Sequence, residues 1–158
     1  MKKTADYFRQ WLCSLILFVC CASFHAASYA IILPDWIPCI CMLMIFMPCL
    51  WMILDIRQSR PSFDLFLLGN GRLLALLLLF LVYVVICYCI QLARLSDGTG
   101  AMMEGHYVLI DKGVPIREID YQTYRMLRLA LAQLYTGFPL AFLSVALYYF
   151  TIRRRNTA

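Results

Sequence analysis

Charged residues are scarce in this sequence. Asp, Glu, Lys and Arg together make up 15% of its 158 residues, whereas a typical soluble domain has about 25%. Apolar residues make up 63%, and the mean hydropathy is +0.76. A soluble fold of this size has too much surface for its volume to hide so many apolar side chains. The composition therefore excludes a soluble enzyme, a disordered tail and a nucleic-acid-binding module, and it predicts a small integral membrane protein.

Charge is absent from four long apolar runs, and all Asp, Glu, Lys and Arg residues lie outside them. A helix needs roughly 20 apolar residues to cross a hydrocarbon core about 30 Å thick. Because backbone amides in lipid must pair within their own segment, each run is predicted to be a helix. The predicted spans are residues 11–33, 37–54, 73–93 and 129–152. We therefore expect an all-α integral membrane fold, a four-helix transmembrane bundle that forms one membrane domain over residues 1–158.

The distribution of Lys and Arg predicts the side of the membrane that each segment occupies. Nine of them lie at the N-terminus, between the second and third spans and in the C-terminal tail. Five lie in the loop of residues 94–128, interspersed with acidic residues. Because cytoplasmic segments carry an excess of Lys and Arg, we expect both termini in the cytoplasm and this loop on the extracytoplasmic side. The net charge of +5 reflects this topology and not nucleic-acid binding.

The start of the chain leaves an alternative open. Lys2 and Lys3 precede an apolar run that reaches Ser28-Tyr29-Ala30, and this order resembles a secretory signal peptide with a small-residue cleavage site. The apolar run continues through residues 31–33 without a break, which favours an uncleaved span. Cleavage would leave the topology of the other spans unchanged.

Prolines indicate where helices turn or bend. The first two spans are predicted to form a tight hairpin at Pro34-Asp35-Trp36, with Pro38 opening the second helix. Pro48 and Pro139 are predicted to kink their helices. In the connection between the second and third spans, the short apolar patch of residues 65–68 is expected to lie along the lipid headgroups.

The extracytoplasmic loop contains a predicted β-hairpin followed by a helix. Residues 106–110 and 114–119 flank Asp111-Lys112-Gly113, a turn with a glycine available for positive φ. Residues 96–100, before the hairpin, are expected to be flexible. Asp120 is a suitable N-cap for a helix that continues into the fourth span. About thirty residues cannot bury a core of their own, so the hairpin must rest on the membrane, on the helix ends or on a partner.

Two polar side chains are candidates for a role at membrane depth, His25 and Gln133. His25 has no Asp, Glu, Lys or Arg partner within the spans. We therefore expect a neutral imidazole that hydrogen-bonds to Ser23, to Ser28 or to a neighbouring helix.

Eight cysteines raise the alternative of thiol redox or metal chemistry, and all of them lie inside predicted spans. Residues two apart on a helix point about 200° apart, so neither of the two Cys-x-Cys pairs can chelate a metal from one face. We expect the cysteines to pack as small hydrophobic side chains and predict no cofactor and no metal. The redox alternative concerns the four cysteines near the outer ends of the second and third spans, Cys39, Cys41, Cys87 and Cys89.

The sequence also lacks the patterns that catalysis or ion transport requires. Uncharged spans argue against a proton relay, an ion-coordinating carboxylate and a voltage sensor. There is no His-Glu-x-x-His and no nucleotide-binding loop, and the four serines inside the spans have no Lys or Asp companion there. We therefore predict a protein that is not an enzyme.

Part of the last third of the chain resembles a known cassette. Residues 107–113 (YVLIDKG), 117–119 (REI) and Tyr124-Arg125 resemble a segment of small multi-span bacterial inner-membrane proteins. In that segment a short hairpin precedes a Tyr-containing helix that leads into the last span. A histidine usually follows the strand near the turn, where this chain has Lys112. Some of these proteins resemble immunity partners of membrane-damaging toxins.

The resemblance implies a non-catalytic binding protein of the bacterial inner membrane, active in immunity against a membrane-targeting toxin. Its expected partners are membrane lipid and a membrane protein, and not nucleic acid. Two alternatives remain: an oligomeric pore-forming effector built from several copies of the chain, or an accessory subunit of a larger membrane complex. The expected partner-binding residues are Tyr107, Lys112, Arg117, Glu118 and Tyr124.

Overall fold

The computed structural model describes residues 2–59, 61 and 71–156, without the side chains of residues 2–5. The apolar patch predicted at residues 65–68 lies outside the described residues. The helices are α1 (Lys2–Ala27), α2 (Trp36–Met44), α3 (Phe46–Ser59), α4 (Gly71–Arg94) and α5 (Tyr121–Arg155). The strands are β1 (Thr99–Met103), β2 (His106–Asp111) and β3 (Val114–Glu118).

Four helical segments are long and apolar enough to cross a membrane, which confirms the predicted number of candidate spans. The second segment consists of α2 and α3 together. The helix is interrupted at Ile45, three residues before Pro48. Pro48 has no N–H to donate to the Met44 carbonyl and its ring crowds that group. The predicted kink at this proline therefore takes the form of a boundary between two helices. Pro139, in contrast, lies inside the continuous helix α5.

The first span ends earlier than predicted. Helix α1 ends at Ala27, whereas the prediction extended the helix to residue 33. The Ser28 hydroxyl donates to the carbonyl oxygen of His25 (2.6 Å), one of the carbonyls that a helix end leaves without an N–H partner. Pro34 also disfavours helical conformation in the residue before it. The last apolar residue of the run, Leu33, packs in the core instead of extending α1.

Helix α5 is the central element of the bundle. It packs against each of the other described helices and against β1 and β2. In its most apolar stretch 56% of the residues are buried, compared with 6% in α4. The core next to α5 is formed by Cys21, Leu33, Ile37, Cys41, Ala132, Leu140 and Leu143.

The bundle has two distinct ends. At one end, which we call the sheet end, Arg128 pairs with Asp35 and an Arg125 N–H donates to the Ala30 carbonyl oxygen (3.1 Å). These contacts join the α1–α2 connection to the start of α5, beside the sheet. At the other end, which we call the terminal end, the start of α1 meets the end of α5 through Tyr7 and Arg153.

The three strands form one antiparallel sheet in the order β1-β2-β3. The predicted hairpin is confirmed as β2 and β3. The prediction missed β1, which begins with Thr99 and Gly100, two residues that were expected to be flexible. A Cβ atom at Gly100 would lie 3.1 Å from Tyr124 Cδ2 and 3.3 Å from the Tyr124 carbonyl oxygen. The glycine thus lets β1 approach α5 closely.

Both strand connections are two-residue turns with positive φ at each position. Glu104 (φ 51°) and Gly105 (φ 86°) join β1 to β2, and Lys112 (φ 48°) and Gly113 (φ 83°) join β2 to β3. Positive φ at both positions suits the twist of antiparallel strands.

Helix α5 begins as predicted, at the residue after Asp120. The Thr123 N–H donates to Asp120 Oδ1 (2.8 Å), which satisfies one of the free amides of the first turn. Hydrogen bonding from the side chain of Thr123, together with this backbone bond, holds the pKa of Asp120 below its usual value.

Candidate functional site

The five expected partner-binding residues fall into two groups. Tyr107 of β2 stacks on Tyr124 of α5, with ring centroids 4.7 Å apart and ring planes 28° apart. Tyr121 completes the aromatic cluster, 5.5 Å from Tyr107. These rings pack the sheet against the first turns of α5. Packing is therefore a sufficient structural role for Tyr107 and Tyr124. Their contact with a partner stays a prediction.

Lys112, Arg117 and Glu118 lie on the hairpin formed by β2 and β3. Lys112 is in the turn, and every residue of β3 is exposed. Among the described residues no strand pairs with the outer edge of β3. Glu118 Oε1 lies 3.5 Å from His106 Nδ1 in an exposed pair.

The same sheet exposes large apolar side chains. Val114 is 63% exposed, Ile116 56% and Met102 61%, and Met103 is also exposed. Pro115 and an irregularity in the pairing of β2 with β3 reduce the capacity of the β3 edge to add another strand. The hairpin is therefore suited to contacts through its side chains.

His25 lies in a series of side-chain hydrogen bonds that is buried at its Thr136 end and exposed at its Tyr29 end. Its Nδ1 is 2.9 Å from Thr136 Oγ1 of α5. Its Nε2 is 3.4 Å from the hydroxyl of Tyr83, which is in turn 3.0 Å from the hydroxyl of Tyr29. The ring thus bonds to neighbouring helices, as one of the expected alternatives proposed.

The other two expected partners of the ring were wrong. The Ser23 hydroxyl donates to the Val19 carbonyl oxygen (2.9 Å). The Ser28 hydroxyl donates to the backbone carbonyl of His25 and not to its imidazole. Each serine donates to a carbonyl of its own segment, which leaves no hydroxyl hydrogen for the ring.

The hydrogen bonds determine which ring nitrogen of His25 carries the proton. The Thr136 hydroxyl donates its one hydrogen to the Ala132 carbonyl oxygen (2.7 Å). It must therefore accept from His25 Nδ1–H, and Nε2 is left to accept from Tyr83. A neutral imidazole satisfies both bonds. Gly137 makes room for the ring, because a Cβ atom there would lie 3.3 Å from His25 Cε1.

Replacing Thr136 with valine is expected to lower the free energy of unfolding by about 1–3 kcal/mol. Valine keeps the shape but leaves the buried Nδ1–H without its acceptor. Unfolding in mild detergent measures the loss. Thr151→Val is the matched control, because Thr151 accepts from Trp11 Nε1 (3.1 Å) at a half-buried site. Equal losses in the two variants would contradict a special role for the bond to His25.

Gln133, the second polar candidate, does not take part in the hydrogen bonds of His25. Its Nε2 donates to the Ser28 carbonyl oxygen (3.2 Å). Its Oε1 has no partner among the described residues, and the same is true of the buried Oε1 of Gln91 in α4. Gln91 was not among the sequence candidates, although its position in the third span was visible.

A charged cluster at the terminal end was also missed. Arg153 Nε donates to Asp55 Oδ2 (2.8 Å), and both side chains are only 14% exposed. The hydroxyls of Tyr7 and Tyr149 donate to the two carboxylate oxygens, at 2.7 and 2.6 Å. Arg153 also donates to Tyr7 and to Ser59. The cluster joins α1, α3 and α5.

A sequence signal for this cluster existed. Asp55 and Arg153 each directly follow a predicted span, so the sequence places opposite charges at the same end of two helices. A cleft of about 380 Å³ lies beside the cluster and is lined by residues of α1 and α3, among them Asp6, Gln10 and Gln58.

The described residues do not bring three His, Cys, Asp or Glu side chains together in a metal-binding group. Of the four cysteines of the redox alternative, Cys41 is buried and Cys39 and Cys89 are exposed. Cys87 Sγ lies 3.7 Å from the Tyr29 hydroxyl.

Comparisons of the chain with protein-family models, with curated proteins and with solved structures found no match. Its resemblance to immunity-type inner-membrane proteins therefore depends on the residues quoted above alone.

Proposed function

We propose that the chain is a multi-pass protein of the bacterial inner membrane, with both termini in the cytoplasm and the sheet on the outside. Four apolar helices and the excess of Lys and Arg flanking the terminal end support this placement. A reporter fused after Ala158 is expected to be active in the cytoplasm, and one inserted at Gly105 outside it.

The protein acts by binding another protein at the sheet, without catalysis. The observation that carries this proposal is the exposed apolar surface of the hairpin, above all Val114 and Ile116. Exposed apolar patches rimmed by polar residues are typical of interaction sites. Three acidic residues, at 104, 111 and 118, outnumber Lys112 and Arg117, which favours a protein partner over an anionic lipid surface.

The partner is a toxin that damages the membrane, and binding it protects the cell. This step is supported by the resemblance of the cassette around Tyr107 and Tyr124. The hairpin would hold the toxin before its helices insert. Lys112, Arg117 and Glu118 would supply charge complementarity, which gives specificity to an apolar contact.

The experiment compares cells with and without this chain while they produce the product of the neighbouring gene. The proposal expects loss of membrane potential only in cells that lack the chain. A neighbouring product that is harmless in those cells would overturn the immunity proposal. Depolarisation on overexpression of the chain alone would support the pore-forming alternative instead.

Replacing Ile116 with aspartate is expected to weaken binding of the toxin at least about tenfold, because a charge would be desolvated in an apolar contact. Ile116→Leu is the matched control and should keep the affinity. The measurements are binding of the purified chain to the toxin and protection of cells. Unchanged affinity of the aspartate variant would contradict binding through the hairpin.

A further inference from the structure

A second polar region at the sheet end borders the aromatic cluster between the sheet and α5, through Tyr121. A groove of about 720 Å³ opens there between the end of α4, the start of α5 and the residues that follow α1. Its polar lining includes Tyr29, Gln91, Arg94, Tyr121, Arg125 and Gln133. The groove combines buried acceptors, exposed cations and an apolar side.

The buried acceptors are two glutamine side chains. Gln91 is 5% exposed and Gln133 6%, and the Oε1 atom of each lacks a hydrogen-bond partner within the described chain. The bond from Gln133 Nε2 to the Ser28 carbonyl orients that amide, because a flipped amide would place two oxygens against each other. Buried carbonyl oxygens are costly without a donor. Both side chains line the groove, and their enclosed Oε1 atoms become accessible to a donor there when the side chains turn toward it.

The cations lie at the rim. Arg94 and Arg125 are both exposed and line the groove with the glutamines. One Arg125 nitrogen donates to the Ala30 carbonyl oxygen, which positions the guanidinium and leaves its other N–H groups available. Guanidinium groups match the geometry of phosphate oxygens.

Apart from Gln122, the remaining lining is apolar and belongs to the ends of helices that are long enough to cross a membrane. Ile90, Met126 and Leu129 line this side. In the membrane topology proposed above, the groove lies where lipid headgroups meet acyl chains. A ligand for it needs an anion for the arginines, N–H donors for the glutamines and an apolar tail.

We propose that this groove binds a phospholipid whose headgroup ends in a primary ammonium, of the phosphatidylethanolamine type. The phosphodiester contacts Arg94 and Arg125, and the ammonium donates to the Oε1 atoms of Gln91 and Gln133. Its acyl chains lie along α4 and α5. This site is independent of the partner proposed for the hairpin.

The test is a binding series by native mass spectrometry on the full-length chain in detergent. The lipids are phosphatidylethanolamine, its N-methyl and N,N-dimethyl derivatives, phosphatidylcholine and phosphatidylglycerol. The first four share the same charges, but the ammonium loses an N–H donor with each methyl group. We expect affinity to fall along the series by at least about tenfold in total, because charge-assisted hydrogen bonds are lost. Equal affinity along the series, or tighter binding of phosphatidylglycerol, overturns the proposal.

Lipid binding by substituted chains tests whether the groove is the binding site. Gln91→Leu and Arg94→Gln are each expected to weaken phosphatidylethanolamine binding at least about fivefold. Gln10→Leu is the matched control, because Gln10 also has a buried Oε1 without a partner among the described residues but lies at the terminal end. Thermal unfolding checks that Gln91→Leu folds, and the exposed Arg94 provides a variant that does not disturb the core. Equal weakening in the Gln10 variant, or none in the groove variants, refutes this location.

Discussion

Replacing Arg153 with alanine is expected to lower the free energy of unfolding by about 3 kcal/mol. The guanidinium donates to both carboxylate oxygens of Asp55, at 2.8 and 3.3 Å, in a site where both side chains are mostly buried. Removing one member of a buried ion pair leaves the other charge uncompensated. In the variant, the described partners left to the carboxylate are the hydroxyls of Tyr7 and Tyr149.

Unfolding of the purified protein in bicelles measures this loss. Arg155→Ala is the matched control, since Arg155 is exposed in the same turn of α5, and a change within about 0.5 kcal/mol is expected. Combining Arg153→Met with Asp55→Asn should recover part of the stability, because the double variant leaves no buried charge. Equal losses in the Arg153 and Arg155 variants would show that the pair does not hold the terminal end together.

The second large effect is expected at Gly98, in the segment that leads from α4 into β1. A Cβ atom there would lie 2.4 Å from the carbonyl oxygen of Ile110 and 3.0 Å from its carbonyl carbon, and the φ angle is 128°. Side chains rarely adopt this conformation. Gly98→Ala should therefore separate β1 from β2, at a cost of about 2–4 kcal/mol.

Hydrogen exchange of the amides in residues 99–118 measures the separation, and the amides within the helices should keep their protection. Gly105→Ala is the matched control, because Gly105 has a φ of 86° but open space around its Cα atom. That variant should show the backbone strain alone, about 1 kcal/mol. If both alanine variants exchange equally fast, the close approach to Ile110 does not matter.

The candidate spans could be predicted because burying charge in lipid is so unfavourable that its absence outlines each segment. Their bounds could not be predicted equally well. Leu33 is as apolar as the residues of α1, and only the tertiary structure shows that it packs in the core after the helix has ended. Hydropathy measures the preference for a dry environment, and a packed connection satisfies that preference as well as a helix does.

The sheet was incompletely predicted for a local reason. Lys112-Gly113 was recognised as a turn, but the equivalent Glu104-Gly105 was not, so β1 was missed. Glutamate carries no strong turn preference, and the glycine alone does not indicate which strand precedes it.

The polar sites depended on pairings between helices, which a single sequence does not reveal. His25 was recognised as a candidate, but its partner Thr136 lies on a helix far along the chain. Asp55 and Arg153 were assigned to the flanking regions, so their burial was overlooked. Gln91 was read as part of an apolar run, although its carboxamide oxygen is buried without a described partner.

The central position of α5 has a consequence for biosynthesis. The ribosome completes this helix after α1 to α4, so in the proposed membrane topology the earlier helices enter the bilayer before the surface against which they pack exists. Until then, the imidazole of His25 and the carboxylate of Asp55 lack the acceptor and the guanidinium that α5 supplies. Nascent chains that stall before α5 should therefore need an insertase or chaperone to shield these groups, and quality-control proteases should recognise them as incomplete.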